Sequence, residues 1–361
     1  MPPAELSDAI KQSLSYKTGA TITNVTPLTG GKNNQAFALT LDSSLHPTAF
    51  LKVFDLRLAG IKQKLERELA FYLHVQHQAM PDLIMAQPTE GWLLLSLIDG
   101  ESVERPDKAM VKQAFSFIHT INQQPLVTAL PIAADAMHSF DALCADIDKR
   151  QARKNELSAD NAEHQACLSF LQEQLIPLFS ASCQQFGMLA QQPDFYRAKQ
   201  AMEQRWASPS DFGFHNALIK QDSQRNDAAP SQKDNASLCF FDFEYAGQDS
   251  LWKLMADFFA QPRIPTSPEY VSLIKEFPEL AENLLYPDFF GLFYQLTQIK
   301  WTLIQLNEFF SHGQQKRQFA LTEQESLNQR LIQAKRYFEM IPERTVALVK
   351  GIARLKDELR A

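Results

Sequence analysis

The sequence predicts an α+β protein of two unlike lobes: an N-terminal antiparallel sheet lobe with one main helix, and a larger, mostly helical C-terminal lobe. Three observations carry this. β-prone runs crowd into the first hundred residues, at Thr21–Val25, Leu28–Leu39, Thr48–Phe54 and Trp92–Ile98, interrupted by one amphipathic segment, Ile61–Val75. After about Ser96–Ser102 nearly every segment carries apolar residues at helical spacing. Within that second part, Ser208-Pro209-Ser210-Asp211-Phe212-Gly213-Phe214-His215-Asn216-Ala217-Leu218 sets an acid and an amide five positions apart. The expected division is residues 1–98 and 99–361, and a crevice between lobes is a common ligand site.

Bulk properties narrow the class. A chain of 361 residues is long enough for two lobes and a sizeable core. With 45% hydrophobic and 21% charged residues it has the composition of a soluble globular protein. The net charge of −7, without a basic block, argues against a nucleic-acid partner. Cys144, Cys167, Cys183 and Cys239 lack metal-ligand spacing and read as free thiols in a reducing cytoplasm. Met1-Pro2-Pro3-Ala4-Glu5 has no basic region before an apolar core, so no signal peptide is expected. The most apolar stretch, Phe289–Phe310, is broken by Gln295, Gln298, Lys300, Gln305 and Asn307; it reads as a buried helix and not a membrane span.

In chain order, Ala4–Tyr16 reads as a short amphipathic helix. Gly30 and Gly31 then stand between two β-prone runs, the signature of a hairpin turn. Such a turn is either a plain connection or a flap whose backbone N–H groups face phosphate oxygens. Lys52 interrupts the β-prone run Thr48–Phe54; it is either an edge-strand lysine or the partner of an anion. On the following helix Ile61, Leu65, Leu69 and Tyr72 form one stripe, and Glu68 falls at its edge while Glu66 and Arg67 face away. A carboxylate aimed toward the core needs a cation, and Lys52 is the nearest upstream candidate. The run Trp92–Ile98 ends in a turn at Asp99-Gly100.

Beyond it, Lys108–Gln123, Ala136–Lys154 and Ala162–Gln185 show helical periodicity. In the loop at 208–218, Asp211 suits a base for an acceptor hydroxyl and Asn216 a metal ligand, the pairing used in phosphoryl transfer. Asp and Asn also populate ordinary turns. Leu218-Ile219 continues as a short strand, Gln221–Ala236 is wholly polar and reads as a mobile hairpin loop, and Leu238–Phe241 forms the next strand. Asp242 follows it directly, as a second metal ligand or as a strand-ending turn acid; Mg²⁺ takes oxygen ligands and would need only Asn216, Asp242, phosphates and water. The rest, Leu251–Gln261, Pro268–Glu276, Asp288–Phe310 and Thr322–Ala361, reads as helix. Lys300-Trp301 either borders an acceptor site or is an ion-paired core-edge residue beside a packing indole.

The order glycine turn, strand lysine, helix glutamate, loop Asp with Asn five later, and strand-end Asp resembles the aminoglycoside phosphotransferase and choline kinase-like family, which is similar in fold to protein kinases. The resemblance runs from about Leu28 to Phe259, and Asp242-Phe243-Glu244-Tyr245-Ala246-Gly247 matches the family's Asp-Trp-Glu-Tyr-Ala-Gly segment closely. It implies a two-lobed protein kinase-like fold using ATP and Mg²⁺. It further implies a phosphate flap at Gly30, Gly31 and Asn34, and Lys52 on the α- and β-phosphates held by Glu68. The backbone at Ser96–Ile98 would bind a purine, Asp211 would act as base, and Asn216 and Asp242 would hold the metal. Glu244 and Asp249 match family positions without an assigned role. Where the family has His-Gly-Asp, this chain has Pro209-Ser210-Asp211, so the usual histidine brace is missing.

The leading expectation is a small-molecule kinase acting on a hydroxyl of a sugar, amino alcohol or related metabolite. An atypical protein kinase is disfavoured, because only Glu244–Ser250 separates Asp242 from the next helix, too little for an activation segment. A nucleotide-binding scaffold without activity is the third reading. No residue of the C-terminal helices announces the acceptor's chemical class.

Overall fold

Period-two alternation in the first hundred residues builds a five-stranded antiparallel sheet in the order β1 (Thr21–Leu28), β2 (Asn34–Asp42), β3 (Thr48–Phe54), β5 (Trp92–Ser96), β4 (Leu83–Gln87). The computed structural model describes residues 5–28, 34–123, 129–158, 160–220, 237–310 and 326–360. Gly30, Gly31 and the polar segment 221–236 therefore lie outside the described residues. Helix α1 (Asp8–Thr18) starts on a Ser7 cap and stops at Gly19, whose φ of 68° is the left-handed value glycine accepts without penalty. It lies on the sheet face formed by Phe37, Leu39, Leu41, Ala49, Leu51, Trp92 and Leu94. The strand Leu83–Gln87 escaped the sequence reading because none of its residues is fully buried and no alternation marks it.

The opposite sheet face, with Phe54, Leu93 and Leu95, belongs to the main core together with α2 (Ile61–His74). Alternation along β3 puts Leu51 on the α1 side and Lys52 on the α2 side, opposite Ala36 and Leu93. The buried stripe of α2 is Ile61, Leu65, Glu68, Phe71 and Tyr72. Leu69 is only half-buried, so Glu68 stands inside the apolar face and not at its edge.

The remaining chain is helical: α3 (Lys108–Asn122), α4 (Phe140–Gln151), α5 (Ala162–Phe170), α6 (Ile176–Leu189), α7 (Phe195–Glu203), α8 (Leu251–Ala260), α9 (Pro278–Leu284), α10 (Pro287–Gln305), α11 (Leu327–Glu339) and α12 (Ile341–Arg360). The continuous helix expected over 162–185 is divided by a π turn at Leu171–Leu175, just before Pro177, which has no N–H to continue the ladder. Pro268–Glu276 is a 3₁₀ helix. The described part of 322–361 is two helices, the second opening with Pro342 in its first turn. Helix α10 is buried over most of its length and packs against α4, α6, α8, α11 and α12. No described helix is long and apolar enough to cross a membrane.

Two small antiparallel sheets interrupt these helices. One joins β6 (Gly100–Ser102), β8 (Ala217–Lys220) and β9 (Leu238–Phe240); the other joins β7 (Arg205–Ser208) and β10 (Gly247–Ser250). They clamp the loop 209–216 and the turn 241–246 side by side, with the Phe241 N–H donating to the Asn216 carbonyl at 3.0 Å. Gly247 is what allows β10 to close on segment 131–133: a Cβ there would sit 2.4 Å from the Pro131 carbonyl oxygen and 2.6 Å from the Ala133 nitrogen, both backbone atoms. Gly247→Ala is expected to destabilise the protein by about 2–4 kcal/mol, the range for forced overpacking and backbone displacement. Equilibrium denaturation checks this, and a variant within 0.5 kcal/mol (~) of wild type would contradict it.

Candidate active site

Lys52 comes from β3 with its ammonium nearly excluded from water, and burial alone would drive its proton off. Instead it donates to Glu68 Oε2 at 2.7 Å and to Asp242 Oδ1 at 2.6 Å. These carboxylates outweigh the desolvation and hold the lysine charged, above its ordinary range. Glu68 shows the other side of this crowding. Its carboxyl stands raised to about 7: burial above all, helped by Asp242 and Glu244, pushes it up against the pull of Lys52. One ammonium is shared among carboxylates that repel one another.

Asp242 and Ser210 are the two non-glycine residues with positive φ among the described residues, each at 67°. Both conformations are sparsely populated for such side chains and persist only where the surroundings impose them. Ser210 immediately precedes Asp211. The Asp211 N–H bonds back to the Pro209 carbonyl at 3.0 Å, closing the γ-turn of positive φ, a rare and strained form. Asp211 is left partly exposed, with the His215 ring Nε2 at 3.2 Å from its Oδ1. Gly213 makes room for that ring, since a Cβ would lie 2.9 Å from His215 Nδ1. Asn216 Nδ2 donates to the Asp211 carbonyl at 2.9 Å, which leaves its Oδ1 outside that bond.

Among the described residues no group of three or more His, Cys, Asp or Glu could hold a metal ion. The pair that the sequence singles out, Asn216 and Asp242, is an all-oxygen donor set on neighbouring backbone, and Asp242 is 40% exposed. That set fits Mg²⁺, which keeps several waters and shares phosphate oxygens.

Asn34 opens β2, and its Nδ2 donates to Glu244 Oε2 at 2.8 Å. The other Glu244 oxygen meets Lys64 of α2 at 2.8 Å. Lys64 also reaches the Tyr245 hydroxyl at 2.9 Å. Glu244 is thus the link between the start of β2, α2 and the turn after Asp242. Ser96 is partly committed elsewhere: its N–H donates to the Asp82 carbonyl and its Oγ accepts from the Asp82 N–H, both at 2.9 Å. Ser96, Leu97 and Ile98 line a cavity of about 490 Å³ that also touches Gln78, Lys220 and Cys239.

A second cavity, of about 210 Å³, opens beside Asp211 and is bounded by Asp135, Asp146, Arg150, Tyr245, Lys300 and Trp301. Lys300 pairs with Asp257 at 3.4 Å, and the Trp301 Nε1–H donates to the same carboxylate at 2.8 Å. Lys300 is therefore ion-paired, as one of its two readings had it, and it also borders this cavity. Beneath the loop, α8 carries a ladder that the sequence reading passed over. Lys253 contacts Asp249 Oδ2 at 3.3 Å and Asp257 Oδ2 at 3.2 Å. It also donates to Ser210 Oγ at 2.7 Å and to the Ser210 carbonyl at 3.2 Å. Burial lifts the Asp249 carboxyl. Burial would lift Asp257 too, but Lys300 and Lys253 override it and hold that carboxyl low. The signal was present in the sequence: charges at 249, 253 and 257, four apart, in an otherwise apolar run.

The Glu68 arrangement fixes a pH dependence for the protein without nucleotide or metal. A carboxyl whose folded-state pKa lies above its ordinary 4.5 binds its proton more tightly when folded, so its contribution is present at low pH and lost as pH rises toward 7. Thermal melts in EDTA from pH 5 to 8 are expected to show this loss in wild type and a flatter profile in Glu68→Gln. Identical slopes in the two proteins would contradict the assignment.

No protein-family model matches the sequence, and no curated protein matches it. Solved structures do match the fold. Choline kinase from Cryptosporidium parvum Iowa II aligns over 94% of this chain and 93% of its own, with a TM-score of 0.56 at 14% identity. The gentamicin complex of APH(2″)-IIa aligns over 93% and 97%, with a TM-score of 0.54 at 13% identity. Plasmodium vivax ethanolamine kinase aligns over 92% and 86%, with a TM-score of 0.52 at 11% identity. At these identities the likeness is one of architecture, and the chain has the two-lobed, protein kinase-like fold that these structures share.

Proposed function

We propose that this protein is a small-molecule kinase that transfers the γ-phosphoryl group of MgATP to a hydroxyl of a compact, positively charged acceptor. The observation that carries the reading is the meeting of Lys52, Glu68 and Asp242 in one ion-paired cluster, with Asp242 on the turn beside the loop that bears Asp211 and Asn216. Lys52 would hold the α- and β-phosphates, Glu68 keeping it in place. Asn216 and Asp242 would hold Mg²⁺, which when bound neutralises phosphate charge. Asp211 would orient the acceptor hydroxyl and take its proton. His215, beside Asp211, restricts the carboxylate's rotation. Asn34, with Gly30 and Gly31, would cover the phosphates, and the backbone at Ile98 would face the purine. The sheet lobe through residue 98 would carry the nucleotide and the rest of the chain the acceptor.

The cavity beside Asp211 supports the acceptor assignment. Its volume of about 210 Å³ is below the range of about 300–1,000 Å³ usual for drug-sized ligands. Each cation at its wall has a carboxylate already: Arg150 has Asp146, Lys253 has Asp249 and Asp257, and Lys300 shares Asp257. Asp135 and Asp211 add further negative charge. An ammonium-bearing alcohol suits this balance, and the fold neighbours include choline and ethanolamine kinases. An extended protein substrate does not suit it. After Asp242 the chain passes through β10 into α8 at Leu251, with no activation segment between.

ADP release from MgATP, measured against a panel of amino alcohols, amino sugars and neutral sugars, tests the reading. Wild type is expected to turn over an amino alcohol. Asp211→Asn is expected to lower kcat by at least about 100-fold, the scale of a general base, and Asp242→Ala to abolish transfer. Near-normal turnover in both variants would sink the mechanism. A thermal shift with MgATP but no turnover on any panel member would favour the scaffold reading instead.

A further inference from the structure

The chain lacks the histidine that braces the corresponding loop in the family it resembles, and Pro209 stands in its place. We infer that Lys253 of α8 is the positioning residue of the 209–216 loop, its ammonium supplying the missing brace from below. The inference rests on the reading of Asp211 as the base.

Four oxygens surround the Lys253 ammonium, two from Ser210 and one each from Asp249 and Asp257. The lysine side chain is 3% exposed and Ser210 is 1% exposed. Ser210 holds a positive φ that a serine leaves readily unless something fixes it. The same ammonium grips both ends of that residue, its Oγ and its carbonyl. The Ser208 hydroxyl accepts from the Ser210 N–H at 3.0 Å and completes the grip. Asp211 is the next residue, so the orientation of its Cα–Cβ bond follows from Ser210. Asp249 in turn accepts from the backbone N–H groups of Met137 and Ser250 at 3.0 and 2.8 Å. The lysine is therefore anchored to the segment leading into α4 as well as to α8. Asp257 ties it to Lys300 and Trp301, at the wall of the acceptor cavity. A purely structural lysine would need only its two carboxylates; the Ser210 contacts are what aim this one at the catalytic loop.

Two variants and two readouts test this. Ser210→Ala deletes the Oγ contact and leaves the buried charges paired. Lys253→Met combined with Asp249→Asn removes the ammonium without leaving Asp249 charged and alone. The first readout is hydrogen exchange of amides 210–216, with amides 92–96 of β5 as the internal reference. The second is ADP release from MgATP, with the best panel acceptor or with water if none is found. Ser210→Ala is expected to speed exchange in the loop and lower kcat by about tenfold, the scale of one hydrogen bond to a charged group. The double variant is expected to lower kcat by about 100-fold or more, with KM for MgATP within about twofold of wild type. A structural role alone would move the melting temperature without this kcat-against-KM split. If the double variant does not fold, Ser210→Ala decides. Folded variants with unchanged loop exchange and unchanged kcat overturn the inference. If wild type shows no turnover even with water, the kinase reading fails separately, and loop exchange alone decides whether Lys253 holds Ser210.

Discussion

One buried ammonium is the constraint on which the site depends. Lys52 lies in the central strand of the sheet, Glu68 on the helix that crosses it, and Asp242 on a turn 190 positions downstream. Buried ion pairs seldom add net stability, because the desolvation of each charge offsets most of their attraction. Removing one partner is a different matter, since it strands a charge where water cannot reach it. The cluster is thus poorly suited to holding the fold and well suited to fixing where two lobes meet. It also keeps a lysine permanently charged and a carboxylate within reach of solvent, the two things a triphosphate and its cation require.

The second device is strain. Two residues hold left-handed backbone conformations without being glycine, and they stand immediately before the candidate base and at the candidate metal acid. Each conformation costs about 1–3 kcal/mol and survives only under restraint from its surroundings. For Asp242 the restraint comes from Lys52 in front and from the backbone pairing of Phe241 with Asn216 behind. For Ser210 it comes from the charged ladder of α8. Around that ladder sits a close-packed aromatic shell of Phe212, Phe214, Phe240 and Phe258, whose ring centroids lie 5.0–5.4 Å apart where they touch. Rings at that spacing leave little room for the loop to relax.

The division of labour between the two cores follows from the same geometry. The small core between the sheet and α1 contains no candidate site residue and backs β3 from the far side. The large core runs unbroken from the inner sheet face through α2 and α3 to α10 and α12. Lys52 and Glu68 are therefore seated on the same packed body that carries α8 and its ladder. A charge placed on one wall of the cleft is held in register with the other wall by continuous apolar contact. Glu244 adds a polar tie across the same gap, joining Asn34 and Lys64.

The sequence by itself determined most of the elements and the sign of the site. The β-prone run Thr48–Phe54 marks a strand interrupted by one lysine, and the stripe of α2 points to Glu68 as its partner, because period and polarity are local properties. Spacing likewise revealed the loop carrying Asp211 and Asn216 and the strand that precedes Asp242. Other features were not legible. Glu68 is at the centre of the buried face because the sheet approaches from one particular side, and Ser96 has its N–H taken by Asp82 because β4, absent from the sequence reading, pairs with β5 up to that point. Only the tertiary structure decided that Lys253 stands under Ser210 and that Lys300, Arg150 and Asp135 share one cavity. Those meetings depend on how α4, α8 and α10 cross, and crossing angles are set by the shapes of side chains in contact, not by any repeat along the chain.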